Sequence, residues 1–433
     1  MISSTKIEHQ RELYRRSSQP QERLAAGLAL ADLLIDDNNN DGALAVLAEL
    51  GPLCRDGRQA GAVLRRNGEA HFRRSEFDLA IQKLDQAQAS LAGEAASLEQ
   101  FYVYRNFTWV YSRQGYMDKT REFCEKAKNV LSAVEGATQE EMNLAQGSYI
   151  HMVAMLEGAA GNKEAAIKHY LEEIEILAHT GGRSKLAPAY INLANIYYTK
   201  GRIAKCLKYQ LMAKDILEEA GNRYTLSVVY NNIGELYWSL GVLEKSQEYY
   251  DYHMDVTRIC ENRLSDVLAY SGMARVAMGQ GDIPRAEALY LTALRVAQEV
   301  GSPGKEAIIL GELADLYAEW GKFGPALARL DDAERLVAEI HNCNSPRYSI
   351  IRAKVLVRKA EAEAGGEQRA SLDQAKVLLE EALAQPMRLP SEEVVSATEL
   401  AIQAHYFLAL AGSLLEDQPA AEAHILQCLR HID

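Results

Sequence analysis

The stretch YINLANIYYTKG, residues 190–201, returns 40 positions later as YNNIGELYWSLG, residues 230–241. Both copies place a small residue, Ala194 or Gly234, seven positions before the closing glycine. Further steps of 40 reach Gly161, Gly281 and Gly321. A fixed interval of this length is typical of a repeated structural unit, so we look for the same unit along the whole chain.

The unit reads as two helices, A and B, joined by a turn. Extending the series backwards gives turns at Gly115, Ser75 and Asn38, and the step of 46 before Gly161 predicts a longer connection near residues 133–143. A small residue precedes each turn by seven positions: Ala31, Gly68, Thr108, Ala154, Ala194, Gly234, Ala274 and Ala314. Another follows it by five: Ala43, Ala80, Thr120, Ala166, Cys206, Ser246, Ala286 and Ala326. Larger residues follow by nine, among them Leu47, Leu84, Tyr170, Tyr250, Tyr290 and Leu330. Small residues at fixed positions predict that the two helices approach closely.

One family shows this combination of a small residue, a turn glycine, an alanine and a large residue. Residues 270–293 resemble the tetratricopeptide repeat most closely, through Tyr270, Ala274, Ala277, Gly281, Ala286, Tyr290 and Ala293. The period of 40, where the short repeat has 34, is similar to that of kinesin light chain, of spindle adaptors built from Leu-Gly-Asn repeats and of bacterial regulators of the maltose-activator type. The resemblance implies an all-α, right-handed superhelical solenoid of about ten helical hairpins. We expect one domain over 1–433, with regular repeats in 1–343 and irregular capping repeats in 344–433.

The composition excludes several classes of protein. A net charge of −13 disfavours binding to the phosphate backbone of nucleic acids. No apolar stretch approaches 18 residues, and the first residues lack the apolar region of a secretory signal. The six cysteines include no C-x-x-C pair, so we expect mostly small buried residues. We therefore expect a cytoplasmic chain that binds neither nucleic acid nor membrane.

Motifs for catalysis or cofactor binding are missing from the sequence. It contains no H-E-x-x-H helix, no P-loop, no dinucleotide-binding loop and no G-x-S-x-G elbow. His424, Cys428 and His431 have a spacing that could present three ligands to zinc on one helix face. Because Cys428 also occupies a small-residue position of the repeat, the structural interpretation is favoured. We predict no enzymatic activity, no cofactor and no metal site.

The resemblance places the binding surface on the concave face, which is formed by residues of the A helices that do not pack on the B helices. Counting from the small residue of each A helix, we predict these partner-binding residues: Arg65, Arg66, Arg73, Arg105, Asn106, Trp109, Arg113, Asn192, Asn195, Tyr198, Asn231, Asn232, Glu235, Trp238, Arg275, Glu312, Asp315 and Glu319. The early positions are mostly basic and the late positions mostly acidic. The concave face is therefore expected to carry opposite charges at its two ends.

Asparagines recur among these positions. Asn106, Asn192 and Asn232 share one repeat position, and an amide can pair with the main chain of an extended peptide whatever its sequence. For Asn231, solvation or a bond to a neighbouring repeat is equally compatible with the pattern. Arg105 and Arg113 suit a carboxylate of the ligand.

Three functions remain open at this point. The first is a protein interaction scaffold or adaptor that holds a peptide segment or domain of a partner in its groove. The second is a sensor that binds a signalling peptide or a small molecule and controls an output protein. The third, a helical repeat that binds nucleic acid, would need a regular base-reading pair in each unit, which the sequence does not supply.

Overall fold

A computed structural model describes residues 2–180, 183–260, 263–341, 346–363, 365–384 and 397–432. In these ranges the chain forms 21 α-helices, two short 3₁₀ turns and no strand, which confirms the all-α prediction. The chain divides into two compact units, unit 1 (Met1–Leu236) and unit 2 (Tyr237–Asp433), and each contains its own cores. The handedness and the single continuous solenoid stay predictions.

Unit 1 consists of helical hairpins in which consecutive A and B helices pack side by side, namely α2–α3, α4–α5, α6–α7, α8–α9 and α10–α11. Its helices are α1 (Ile2–Arg16), α2 (Pro20–Asp36), α3 (Asn40–Leu50), α4 (Gly57–Arg73), α5 (Phe77–Ser90), α6 (Leu98–Arg113), α7 (Met117–Ser132), α8 (Gln139–Ala159), α9 (Lys163–Ala178), α10 (Leu186–Thr199), α11 (Ile203–Ala220) and α12 (Arg223–Ser239).

Unit 2 repeats the arrangement in the hairpins α14–α15, α16–α17, α18–α19 and α20–α21. Its helices are α13 (Leu243–Cys260), α14 (Arg263–Gly279), α15 (Ile283–Glu299), α16 (Pro303–Glu319), α17 (Phe323–His341), α18 (Pro346–Ala362), α19 (Gly366–Ala384), α20 (Ala397–Leu414) and α21 (Gln418–Ile432). No helix in the described part of the chain is long and apolar enough to cross a bilayer.

The turns between A and B helices have one backbone geometry. The turn residue adopts a left-handed conformation, for example Gly201 at φ 64°, and the next amide donates to the carbonyl five residues earlier, as Arg202 does to Tyr197 at 2.9 Å. This pattern closes the end of an α-helix and favours glycine, which has no Cβ to clash. The same conformation occurs at the non-glycine turns predicted from the period, Asn38 (φ 59°) and Ser75 (φ 62°).

The small residues predicted from the repeat are buried between paired helices in both units, as at Ala194 and Ala286, each with no exposed surface. A Cβ added to Gly68 would lie 2.8 Å from Leu84 Cγ, so the glycine lets α4 and α5 approach closely. Cys124 and Cys206 serve the same packing, and burial raises the pKa of both thiols to about 11. The repeated small residues thus mark the positions where paired helices pack closely against each other.

One local prediction needs correction. The insertion near 133–143 is a connection only from 133 to 138, because α8 begins at Gln139. Thr138 caps this helix: its hydroxyl accepts the Glu141 amide, and the Glu141 carboxylate accepts the Thr138 amide at 2.8 Å. This reciprocal capping stabilises the first turn, and the remaining inserted residues lengthen α8.

Candidate functional site

The A helices of unit 1 surround a cavity of about 450 Å³. Side chains from α2, α4, α6 and α8 line one part of it, and residues of α9, α10, α11 and α12 line the rest. Helix α1 also contacts α11, so the first and later repeats of this unit come together beside the cavity. The volume lies in the range of about 300–1,000 Å³ that is usual for ligand pockets.

Five of the predicted residues line this cavity: Arg65, Arg66, Arg73, Arg105 and Trp109. They lie on α4 and α6, the helices whose opposite faces pack on α5 and α7. Helical spacing of three, four or seven residues aligns side chains on one face. These five residues, which the repeat predicts to lie on the concave face, therefore line one cavity in unit 1.

A largely buried carboxylate, that of Glu69, joins these side chains. It accepts hydrogen bonds from Arg65 Nη1 at 3.2 Å, from Arg105 Nη2 at 3.3 Å and from Asn106 Nδ2 at 3.3 Å. Burial alone would raise the pKa of Glu69, but the guanidinium groups of Arg105 and Arg65 lower it to about 2. Removal of this carboxylate would leave Arg105 without an ion pair among the described residues.

Ion pairs also connect neighbouring A helices. Arg66 binds both carboxylate oxygens of Asp32 on α2, at 2.7 and 2.8 Å, and Arg65 binds Glu99 on α6. The paired residues are 34 positions apart in both cases, close to one repeat. Two parallel N–H···O bonds fix the geometry of a guanidinium group. These arginines therefore hold the A helices to each other as well as facing the cavity.

Arg105 is enclosed by aromatic rings. Its guanidinium carbon lies 4.6 Å from the centre of the Tyr102 ring and 4.2 Å from that of Trp109. Burial lowers the pKa of Arg105 despite the neighbouring Glu69, and the positive charge of Arg65 lowers it further. The cavity wall at α6 is thus aromatic and cationic, a combination that suits a partly apolar, anionic group.

Asp36 and Lys185 face the cavity without any ion pair within the described residues. The Asp36 carboxyl is accessible to water, yet the surrounding protein reduces its hydration and raises its pKa, which the charge of Lys185 partly offsets. Arg73 is only loosely paired, at 3.8 Å from Glu69. These three side chains are the ones most available to charged groups of a ligand.

His151 on α8 also lines the cavity. Its Nδ1 lies 3.0 Å from an oxygen of the buried Glu173, and its Nε2 lies 3.2 Å from Asn192 Nδ2. The ring also packs edge-on against Tyr170. Asn192, predicted to bind the main chain of a ligand, therefore orients His151 in this structure.

Residues 185–256 and 266–339 match the family model described as tetratricopeptide repeat. These two stretches carry tetratricopeptide repeats. A comparison with curated protein sequences finds no match.

Solved structures similar to this chain share its fold at low sequence identity. The apo form of RapI is 10% identical, with a TM-score of 0.64 over 86% of this chain and 97% of RapI. The apo quorum sensor NprR from B. thuringiensis is 12% identical, with a TM-score of 0.60 over 86% of this chain and 98% of NprR. A Rap protein complexed with competence and sporulation factor is 16% identical, with a TM-score of 0.58 over 86% of this chain and 97% of that protein. At these identities the likeness shows the fold alone.

The other predicted residues of unit 1 lie outside the cavity lining. Asn106 is 2% exposed, and its side-chain amide donates a hydrogen bond to Glu69. This hydrogen bond would have to break before the amide could bind a ligand. Arg113 and Asn195 are exposed, and Tyr198 is 43% exposed. On α12, Asn231, Asn232 and Glu235 are half-buried. A ligand role for all of these residues stays a prediction.

In unit 2 most of the predicted acidic residues have a partner on a neighbouring A helix. Asp315 lies 3.1 Å from Lys354 Nζ, and Glu319 lies 2.8 Å from Arg358 Nη2, both on the next A helix, α18. Ser271 donates to Glu312, and the guanidinium carbon of Arg275 lies 5.2 Å from the centre of the Trp238 ring. The late positions are therefore not simply acidic, because α18 supplies cations that the counting rule did not include.

Several functional candidates were missed by the counting rule. They are Asp32, Asp36, Glu69, Tyr102, His151, Glu173 and Lys185, all of which line the cavity. A search for opposite charges 34–36 positions apart would have found Asp32 and Glu69. No group of three potential metal ligands occurs among the described residues. The side chain of His431, one of the three residues considered for zinc, lies outside them.

Proposed function

We propose that this chain is a non-enzymatic binding protein whose unit 1 cavity holds a short segment of a partner protein or a peptide. The observation that carries the proposal is a partly open cavity of about 450 Å³, with Asp36, Arg73 and Lys185 in its lining. Extended repeat surfaces commonly serve as binding faces.

The cavity volume limits the form of the ligand. An α-helix with side chains is about 10 Å wide, so ten helical residues would fill roughly 1,200 Å³. The cavity offers about 450 Å³. An extended segment of a few residues fits this space better than a helix or a folded domain does.

The charges favour a ligand with both an anionic and a cationic group. Arg73 and Lys185 can bind a carboxylate, and Asp36 can bind an amine, without breaking any close ion pair. The aromatic wall of Tyr102 and Trp109 can accept an apolar side chain. Peptides combine these three kinds of group.

A sensor is the second candidate, and the size of the cavity is the observation that supports it. About 450 Å³ also suits a drug-sized molecule. NprR, which shares the fold, is described as a quorum sensor. In this second proposal a signalling peptide or small molecule occupies the cavity, and another protein carries the output.

Replacing Arg73 and Lys185 together by glutamine is expected to weaken partner binding about tenfold or more, because each loses a charge available to the ligand. The purified chain is incubated with native extract, bound peptides and proteins are identified by mass spectrometry, and the tightest ligand is titrated against each variant by calorimetry. The chain should recover a peptide or protein rather than a small metabolite alone.

Arg121→Gln is the matched control, since Arg121 is exposed on α7 and does not line the cavity. It should bind as the parent does. Equal loss in Arg121→Gln, or full binding by the double variant, would place the site elsewhere. Recovery of only a small molecule that raises the melting temperature would favour the sensor.

A further inference from the structure

The B helices share one buried contact position, four residues after their buried small residue. In the described hairpins before the last one this position is never more than 4% exposed; it holds Leu47, Leu84, Cys124, Tyr170, Gln210, Tyr250, Tyr290, Leu330 and Leu379. The next A helix covers it, as α14 covers Tyr250 at Gly272. The position is therefore where one repeat stacks on the next.

Helix α21 departs from this rule. Ala421 is buried like its counterparts, but Ile425, four residues later, is 51% exposed. Leu426 and Leu429 on the same face are 56% and 53% exposed. Helix α21 packs against α20, and no helix of the described chain covers its outer side as α16 covers α15. An outer helix face in a repeat array that meets water is usually polar, so this apolar one indicates a covering helix.

The charges on α21 indicate which helix fits. Glu422 and Arg430 are its only acidic and basic residues apart from histidines, and they lie on either side of Leu426. Neither makes an ion pair with any described residue. Two copies of α21 packed antiparallel with Leu426 at the centre would bring each Glu422 beside the other copy's Arg430. A parallel pair would place like charges together.

We propose that α21 pairs with α21 of a second copy of this chain, antiparallel and about a two-fold axis near Leu426. The apolar stripe of Ile425, Leu426 and Leu429 forms the centre of the interface, and the Glu422–Arg430 pairs lie at its two ends. Such an isologous contact uses the same patch on both copies, so one helix suffices to build it.

Sedimentation equilibrium of the full chain tests the proposal. The parent chain is expected to be dimeric at micromolar concentration, and Ile425→Glu with Leu429→Glu is expected to be monomeric. The matched control changes Leu171 and Leu291 to glutamate; these residues are 42% and 41% exposed on other B helices, and this variant should stay dimeric. A parent chain that remains monomeric at about 100 µM, or a dimer that survives both α21 changes, would refute the proposal.

Charge reversal tests the antiparallel arrangement with changes confined to exposed side chains. Glu422→Arg alone and Arg430→Glu alone should each weaken the dimer about tenfold at low salt, since two symmetric pairs become repulsive. The double variant should restore the parent dissociation constant. Weakening in both single variants without restoration in the double variant would contradict the antiparallel pair.

Discussion

Replacing Glu69 by glutamine is expected to lower the free energy of unfolding of unit 1 by about 3–5 kcal/mol, one of the two largest effects we foresee. Loss of this carboxylate leaves the largely buried Arg105 without an ion pair among the described residues, while Arg65 keeps Glu99, and a broken buried ion pair typically costs that much. Trp109 stacks on Arg105, so its fluorescence in a background with phenylalanine at Trp238 and Trp320 reports unfolding of this region.

The effect of Glu69 depends on pH in a defined direction. Its pKa is about 2 in the folded chain against an ordinary value of 4.5, so its stabilising contribution is complete above pH 4.5. It is lost as the pH falls towards 2. The difference in stability between the parent and Glu69→Gln should therefore shrink below pH 4.5 and stay constant above it.

Glu122→Gln provides the control for Glu69→Gln. The Glu122 ion pair with Lys126 is exposed and lies within one helix, so its removal should change stability little. If Glu69→Gln unfolds with the parent midpoint, or if its difference from the parent does not depend on pH between 2 and 4.5, the buried network does not hold the inner wall together.

Replacing Gly272 by valine is expected to destabilise unit 2 by about 3 kcal/mol, at the upper end of the usual range for overpacking. A Cβ at this position would lie 2.3 Å from Cε1 and Cζ of Tyr250, a side chain with no exposed surface. Alanine should have the same effect with a smaller magnitude. Chemical denaturation followed by the fluorescence of Trp238 and Trp320 measures both.

A second change separates steric conflict from loss of backbone freedom. Tyr250→Leu should recover part of the stability lost in Gly272→Ala, because the smaller side chain makes room for the new methyl group. Gly324→Ala is the control: no atom lies within 4 Å of its added Cβ, and α17 should gain up to about 1 kcal/mol. Equal losses at Gly272 and Gly324 would mean that packing on Tyr250 is not the cause.

The fold could be predicted from the sequence because the same turn and packing positions recur from one repeat to the next. A turn residue such as Gly201 and a small residue such as Ala194 perform the same task in each unit, so repetition strengthens a weak single motif. Even the turns without glycine, Asn38 and Ser75, adopt the expected left-handed backbone. The connection expected near 133–143 ends at 138, because the later inserted residues belong to α8.

The candidate site could be predicted only in part. Counting inner positions found Arg65 and Arg105, since their place on the A helix depends on helical geometry alone. It could not show that Glu69 and Asp32 neutralise such arginines, because that depends on how far each A helix is displaced along the next. The same reason hid Lys354, which pairs with Asp315 in unit 2.

The central proposal is that a partner segment binds in the cavity of unit 1. A photoreactive amino acid in place of Ser148, which lines the cavity, can be compared with the same group in place of Tyr252, which is exposed on a B helix. After irradiation with the recovered partner, we predict a covalent adduct at position 148 and none at position 252. An adduct at position 252 with none at position 148 would contradict binding in the cavity.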